Sequence, residues 1–145
     1  MAIAERSAQC TWSGDLAHGS GEVAGASGAL GEPPVTWASR TGRSEGKTSP
    51  EELIAAAHAA CFSMALSHGL SEAGNPPEQL EVSARVTLDE RDGAPTVTTS
   101  ELTVSGQVPG IDQEGFTQAA ADAGRECPVS RALAGVEISV RATLS

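Results

Sequence analysis

The residues of this sequence with the greatest chemical potential are two of its three cysteines. Cys61 falls in the middle of a long predicted helix, whereas Cys127 comes directly before Pro128, where a short helix is predicted to begin. A thiol at a helix start often has a lowered pKa, because backbone N–H groups and the helix dipole stabilise the thiolate. Such a pair could act as a peroxidatic thiolate and a resolving thiol. Cys10 lies on a predicted strand, where packing is the ordinary explanation.

Peroxidatic chemistry requires a cation, because burial in an apolar helix face disfavours a thiolate. Arg40 and Arg43 lie in the polar segment before the long helix, and Glu51 could fix either guanidinium through a bidentate pair. Glu51 and Cys61 are ten residues apart on one helix, roughly 15 Å along its axis, so they cannot share a site within one chain. Two antiparallel copies of the helix would bring them together, and we therefore predict a homodimer with interfacial sites.

The same residues permit other interpretations. His58, Cys61, His68 and Cys127 could together bind a metal ion, although His68 lies two turns beyond Cys61. Cys61 and His58 could form a hydrolase pair, but no oxyanion hole is evident. A third alternative is a non-catalytic dimer that binds a lipid-like ligand in its apolar cleft. For a lone helical cysteine the ordinary explanation is packing, and for both histidines we expect a partly exposed helix surface.

The elements that must position these residues follow from hydrophobic periodicity and turn signals. The long helix begins at Ser49, a capping residue, with Pro50 at the first helical position and Glu52 completing a capping box, and it ends near Gly74. Further helices are predicted over 112–124 and 129–133, and the segment 39–48 is predicted as a loop. Alternating apolar residues predict strands over 8–13, 22–24, 35–38, 80–88, 97–104 and 136–142.

These elements predict a single α+β domain over residues 1–145 with mainly antiparallel pairing. Asp92 and Gly93 form a hairpin turn between two long strands. The apolar alternation slips in phase between Thr99 and Leu102, which indicates a β-bulge.

Two cysteine motifs carry a resemblance to a known family. Residues 49–66 (SPEELIAAAHAACFSMAL) and 127–133 (CPVSRAL) resemble the OsmC/Ohr superfamily, which comprises osmotically inducible protein C and the organic hydroperoxide resistance proteins. The helix motif with its histidine, together with residues 12–15 (WSGD) and 108–112 (VPGID), resembles the OsmC branch. The similarity covers nearly the whole chain.

The resemblance implies an intertwined α+β homodimer in which long central helices pack against mainly antiparallel sheets. It also implies a bacterial thiol peroxidase with Cys61 as the peroxidatic residue and Cys127 as the resolving residue. Glu51 matches the family's catalytic glutamate. Arg40 matches the catalytic arginine best, while the length of the following loop keeps Arg43 as an alternative.

The activity expected from the resemblance needs no metal or other cofactor. An organic hydroperoxide would oxidise Cys61 to a sulfenic acid, and Cys127 would condense with it to a disulfide. An external dithiol, of the lipoyl type in this family, would reduce that bond. Apolar residues near Cys61 are expected to bind the substrate and to favour fatty or aromatic hydroperoxides, namely Leu53, Ile54, Phe62 and Met64.

Composition excludes several other classes of protein. Nine basic and nineteen acidic residues give a net charge of −10 and a pI near 4.6, so the surface repels nucleic-acid phosphates and anionic membranes. The longest apolar run, residues 53–57, is too short to span a bilayer, and no secretory signal is evident. Three dispersed cysteines argue against a disulfide scaffold. We therefore expect a cytoplasmic protein with reduced thiols.

Overall fold

The computed structural model describes residues 1–145 and contains two compact units, Met1–Leu53 and Ile54–Ser145. Each unit contains one three-stranded sheet. The α+β class predicted from the sequence is confirmed. The assignment of all 145 residues to one domain stays a prediction.

The first unit contains the antiparallel sheet β1 (Ala8–Ser13), β2 (Ser20–Gly25) and β3 (Pro34–Val35), in that order. Gly21 on β2 pairs with Trp12 on β1. A Cβ atom at Gly21 would lie 2.9 Å from the Trp12 ring and 3.0 Å from the Cys10 sulfur, so only glycine fits beneath these side chains.

A short helix, α1 (Trp37–Thr41), follows β3 and was not predicted. The predicted third strand over 35–38 ends at Val35, and the predicted loop over 39–48 loses its first residues to the helix. The cause is a capping box. The Thr36 hydroxyl accepts a hydrogen bond from the Ser39 N–H, and the Ser39 hydroxyl accepts one from the Thr36 N–H, each at 3.0 Å. Arg40 therefore projects from a helix and not from a loop.

The long helix α2 spans Pro50–Glu72, as the sequence predicts. Ser49 caps it, since its hydroxyl accepts a hydrogen bond from the Glu52 N–H at 3.1 Å. The Glu52 carboxylate does not complete the predicted capping box and instead accepts a hydrogen bond from the Thr48 hydroxyl at 2.6 Å. The helix ends where Gly74 adopts a φ of +87°, a conformation that glycine accommodates without strain.

By length and composition, α2 could cross a membrane, which the short apolar run over 53–57 did not indicate. Only 22% of the 18-residue window that passes this test is buried. The core helix of a water-soluble protein passes the same test, so this single helix is weak evidence for a membrane span. The low burial shows that one chain leaves much of the apolar surface of α2 uncovered.

The sheet of the second unit combines a hairpin with a parallel strand. Strands β4 (Gln79–Arg91) and β5 (Ala94–Gln107) are antiparallel, and Asp92 and Gly93 connect them with φ values of +53° and +78°. A bulge in β5 is confirmed, but it lies at Thr98 and not between Thr99 and Leu102: Thr87 pairs with Thr99 while Leu88 pairs with Val97, which leaves Thr98 unpaired. The predicted slip is absent because Ser100, although polar, is 0% exposed and continues the buried face that Leu102 and Val104 follow.

Strand β6 (Glu137–Leu144) pairs parallel with β5. The crossover between them contains α3 (Gln113–Glu126) and α4 (Pro128–Ala132). Cys127 separates these two helices, acting as the C-cap of α3 and the N-cap of α4. The crossover segment that carries the Cys127 thiol is therefore held at its two ends by β5 and β6.

The core of the second unit joins α2, β5 and α3. Its fully buried members include Phe62, Leu66, Leu102, Val104 and Phe116. Phe62 was predicted to contact substrate, but its side chain is 0% exposed and lies within this core. Its position is that of a packing residue, because a side chain without solvent access offers a substrate no surface.

Candidate active site

The second unit brings two thiols together from distant parts of the chain. Cys61 is half-buried on α2, and Cys127 is fully buried between α3 and α4. The two thiols are free and lie close enough to shift each other's pKa. Cys10 is exposed on β1 in the other unit. The structure therefore pairs the two cysteines that the sequence singled out.

Cys127 lies in surroundings that favour its thiolate. Burial raises the pKa of the Cys127 thiol, but hydrogen bonds from the Ser130 N–H, the Cys61 thiol, the Ser130 hydroxyl and the Val129 N–H outweigh that effect, so the pKa lies below its ordinary value. The Ser130 nitrogen lies 3.5 Å from the sulfur. Within one chain, Cys127 is thus the more acidic thiol of the pair.

Cys61 has the opposite balance. Burial raises the pKa of the Cys61 thiol, the Val129 N–H lowers it, and hydrogen bonding and charge repulsion from Cys127 raise it further. No cation contributes to this balance. A Cys61 thiolate in one chain is therefore disfavoured, and a peroxidatic role for Cys61 requires an additional positive charge. The roles of the two cysteines stay predictions.

The first unit contains a suitable cation in a fixed geometry. Arg40 donates two hydrogen bonds to Glu51, from Nε to Oε1 at 2.9 Å and from Nη2 to Oε2 at 3.0 Å. The side chains are 30% and 10% exposed, so Glu51 is largely shielded from water while Arg40 is only partly shielded. The hydrogen bond to Glu51 raises the pKa of Arg40, which keeps the guanidinium charged.

The Trp37 ring centroid lies 5.9 Å from the Arg40 guanidinium carbon, within range of a cation–π contact. Arg43 is exposed and forms no salt bridge. The geometry therefore pairs Glu51 with Arg40, the arginine that the sequence favoured. A catalytic role for either residue stays a prediction.

His58 is a residue whose environment the sequence analysis missed. It was expected at a partly exposed helix surface, but it is 0% exposed. Its Nδ1 lies 2.7 Å from the Ser100 hydroxyl, and its Nε2 lies 2.8 Å from the Ser130 hydroxyl. Burial lowers the pKa of His58, which favours the neutral imidazole.

A helical spacing in the sequence could have revealed this burial. His58 precedes Phe62, Leu66 and Leu70 at intervals of four residues, and all four are buried. Cys61, Met64 and His68 form a different stripe on the same helix. It belongs to the less buried face, where Met64 is 74% exposed.

The alternative metal and hydrolase sites lack the geometry they require. Both ring nitrogens of His58 are bonded to serine hydroxyls, so neither is free to bind a metal or to deprotonate Cys61. His68 is exposed on the other face of α2. Leu53 and Ile54 are half-buried, and their predicted contacts with substrate, like that of Met64, stay predictions.

Comparisons with known proteins place the chain in a family. The family described as OsmC-like protein matches residues 42–141. Peroxiredoxin OsmC of Escherichia coli strain K12 is 44% identical over 125 residues, which cover 86% of this chain and 87% of the relative.

Solved structures give the same result. The organic hydroperoxide resistance protein OhrB of Bacillus subtilis is 27% identical, with a TM-score of 0.73 over 96% of this chain and 98% of its own. An organic hydroperoxide resistance protein of Elizabethkingia anophelis is also 27% identical, with a TM-score of 0.73 over 99% of each chain. The motifs around both cysteines, the fold and these similarities establish that the chain belongs to the OsmC-like family, in its OsmC branch.

Proposed function

We propose that this protein is a peroxiredoxin-type enzyme that reduces organic hydroperoxides to alcohols with its own thiols. The observation that carries the proposal is that Cys61 and Cys127, which come from separate helical segments of the second unit, lie close together, with the Val129 N–H acting on both thiols. The names of the relatives, a peroxiredoxin and organic hydroperoxide resistance proteins, support a role in peroxide defence.

The proposed cycle begins when the Cys61 thiolate attacks the O–O bond of the hydroperoxide. Cys61 becomes a sulfenic acid, and the departing alkoxide takes a proton to become an alcohol. The Cys127 thiol then displaces the hydroxyl of the sulfenic acid, which forms a Cys61–Cys127 disulfide and releases water. An external dithiol, which we propose to be of the lipoyl type, reduces this disulfide by two exchange steps and is itself oxidised.

A homodimer is part of the proposal. The uncovered apolar face of α2 is a surface that a second copy could bury. Cys61 lacks a cation to stabilise its thiolate, whereas Arg40 and Glu51 form a pair that could supply one. We propose that this pair from one protomer serves Cys61 of the other.

The substrate class follows from the apolar surroundings proposed for Cys61. Met64, Leu53 and Ile54 would contact a fatty or aromatic group better than they would hydrogen peroxide. We place the enzyme in the cytoplasm, where reduced dithiols are available, with a role in oxidative or osmotic stress defence.

The test is mass spectrometry of the reduced protein after one equivalent of cumene hydroperoxide. We expect a Cys61–Cys127 crosslink and one equivalent of cumyl alcohol. Cys61→Ser should abolish peroxide consumption, and Cys127→Ser should accumulate an oxidised Cys61 that dimedone traps. Cys10→Ser is the matched control and should behave as the unaltered protein does, because Cys10 is exposed in the other unit.

Two outcomes would contradict the proposal. One is peroxide consumption that persists in Cys61→Ser. The other is a faster reaction with hydrogen peroxide than with cumene hydroperoxide, which would argue against the organic substrate class.

A further inference from the structure

A buried hydrogen-bonded chain links α2 to the Cys127 thiol. His58 lies between the Ser100 hydroxyl of β5 and the Ser130 hydroxyl of α4. Ser130 also donates its backbone N–H to the Cys127 sulfur. His58, Ser100, Ser130 and Cys127 are all at most 6% exposed, so no water competes for these bonds.

Every polar side-chain atom in this hydrogen-bonded series has a partner. A neutral imidazole has one donor nitrogen and one acceptor nitrogen, and a serine hydroxyl can match either. Removing one partner would leave a buried polar atom without a hydrogen bond. The free-energy cost of that unpaired atom is larger than the stabilisation that one hydrogen bond contributes. The two bonds therefore hold His58 and Ser130 in one arrangement.

Packing alone does not account for a histidine here. The other members of the same stripe, Phe62, Leu66 and Leu70, fill their positions with apolar side chains. A buried imidazole needs hydrogen bonds with two serines to compensate for its desolvation. An apolar residue at the same position would need no such partners. What the imidazole adds is a directional link from α2, three residues before Cys61, to the first turn of α4.

We propose that His58 is a positioning residue for the resolving step. Through the Ser130 hydroxyl it fixes the first turn of α4, so that the Ser130 N–H faces the Cys127 sulfur and that sulfur faces Cys61. The step it serves is the attack of Cys127 on the Cys61 sulfenic acid, in which the S–S bond forms, the S–OH bond breaks and water leaves. This inference rests on the proposed peroxidase function.

A pair of substitutions separates the two bonds of His58. In His58→Gln the side-chain amide can reach the position of Nε2 and keep the bond to Ser130. In His58→Asn the shorter amide reaches only the position of Nδ1 and keeps the bond to Ser100. Ser130→Ala removes the same link from the other side. Ser63→Ala is the matched control, because the Ser63 hydroxyl bonds only a carbonyl of its own helix, that of Ala59.

The measurement is rapid-mixing kinetics with cumene hydroperoxide, which follows sulfenic acid formation and disulfide formation in the same sample. We expect His58→Asn and Ser130→Ala each to slow disulfide formation by about tenfold or more relative to sulfenic acid formation. We expect His58→Gln and Ser63→Ala to keep the ratio of the two rates. The double variant His58→Asn/Ser130→Ala should be no slower than either single variant, since both break one link.

A purely structural role for His58 makes a different prediction. It would lower the melting temperature of His58→Gln and His58→Asn alike and leave the ratio of rates unchanged, and that result would overturn the inference. Ser130→Ala removes a single oxygen atom, so it keeps the test valid if His58→Asn fails to fold. Absence of a disulfide in the unaltered protein would contradict the proposed function itself, whereas a normal disulfide rate in Ser130→Ala contradicts only the role of His58.

Discussion

At the scale of single residues, geometry decides between neighbours that look equivalent in the sequence. Arg40 and Arg43 carry the same charge three residues apart, yet only Arg40 forms a bidentate pair with Glu51. Cys61 and Cys127 are both partly or fully buried thiols, yet their pKa values move in opposite directions. The causes are specific N–H groups and a fixed carboxylate, which residue types alone do not reveal.

Arg40→Lys should impair the proposed activity although it keeps the charge. A lysine cannot make the two parallel hydrogen bonds to Glu51 that orient the guanidinium. We expect kcat/KM for cumene hydroperoxide to fall by about tenfold or more. Arg43→Lys is the matched control and should change kcat/KM by less than about twofold, because Arg43 is exposed and unpaired. Equal losses in the two variants would argue against a role for Arg40.

At the scale of elements, patterns in the sequence predicted the features that depend on interactions between neighbouring residues. The start and end of α2 and the β4–β5 hairpin follow from capping and turn signals, whereas the bulge lies at Thr98 and not where the alternation slips in the sequence. Helix α1 was not predicted because its capping box has Ser39 where glutamate is usual. The burial of His58 was not predicted because the partners of the imidazole, Ser100 and Ser130, lie on other elements.

Contacts between distant segments explain what the sequence could not predict about the site. The two cysteine motifs identified both thiols, but no local rule indicates that the Val129 and Ser130 N–H groups surround the sulfur atoms. The parallel pairing of β6 with β5 likewise depends on the path of the whole crossover.

The link between α2, β5 and α4 should make stability depend on pH. Burial holds the pKa of His58 below the value of 6.5 for an unperturbed histidine, so the unfolded chain binds this proton more readily than the folded one. The free energy of unfolding should therefore decrease as the pH falls below about 6.5, down to the pKa in the folded state. Denaturant unfolding at a series of pH values measures this effect.

His58→Gln is the variant that isolates this contribution, because glutamine does not titrate. The decrease in stability below pH 6.5 should become smaller in His58→Gln than in the unaltered protein. An identical pH dependence in the two proteins would show that His58 is protonated without penalty.

At the scale of the whole molecule, the most conspicuous uncovered surface is the apolar face of α2. A helix with this composition and only 22% burial in its most apolar window is unusual for a chain with a net charge of −10. An uncovered apolar face of this kind favours association. A second copy, as in the proposed homodimer, would cover this face.

Met64→Glu tests this association. Met64 is 74% exposed in one chain, so a glutamate there should leave the monomer fold intact but carry an unpaired charge into the proposed interface. Sedimentation velocity should show dimers for the unaltered protein and a shift toward monomers for the variant. Ser139→Glu, at an exposed position on β6, should remain dimeric. A monomeric unaltered protein would contradict the proposed dimer.

The unequal exposure of the two sulfurs determines how the proposed disulfide would be reopened. Cys127 is fully enclosed while Cys61 is half-buried, so an incoming reductant has only the Cys61 sulfur within reach. The mixed disulfide then forms on Cys61, and Cys127 is the leaving group. The low pKa of Cys127 makes it a good one, because more acidic thiols depart faster. The environment that favours its thiolate would thus also accelerate recovery of the reduced protein.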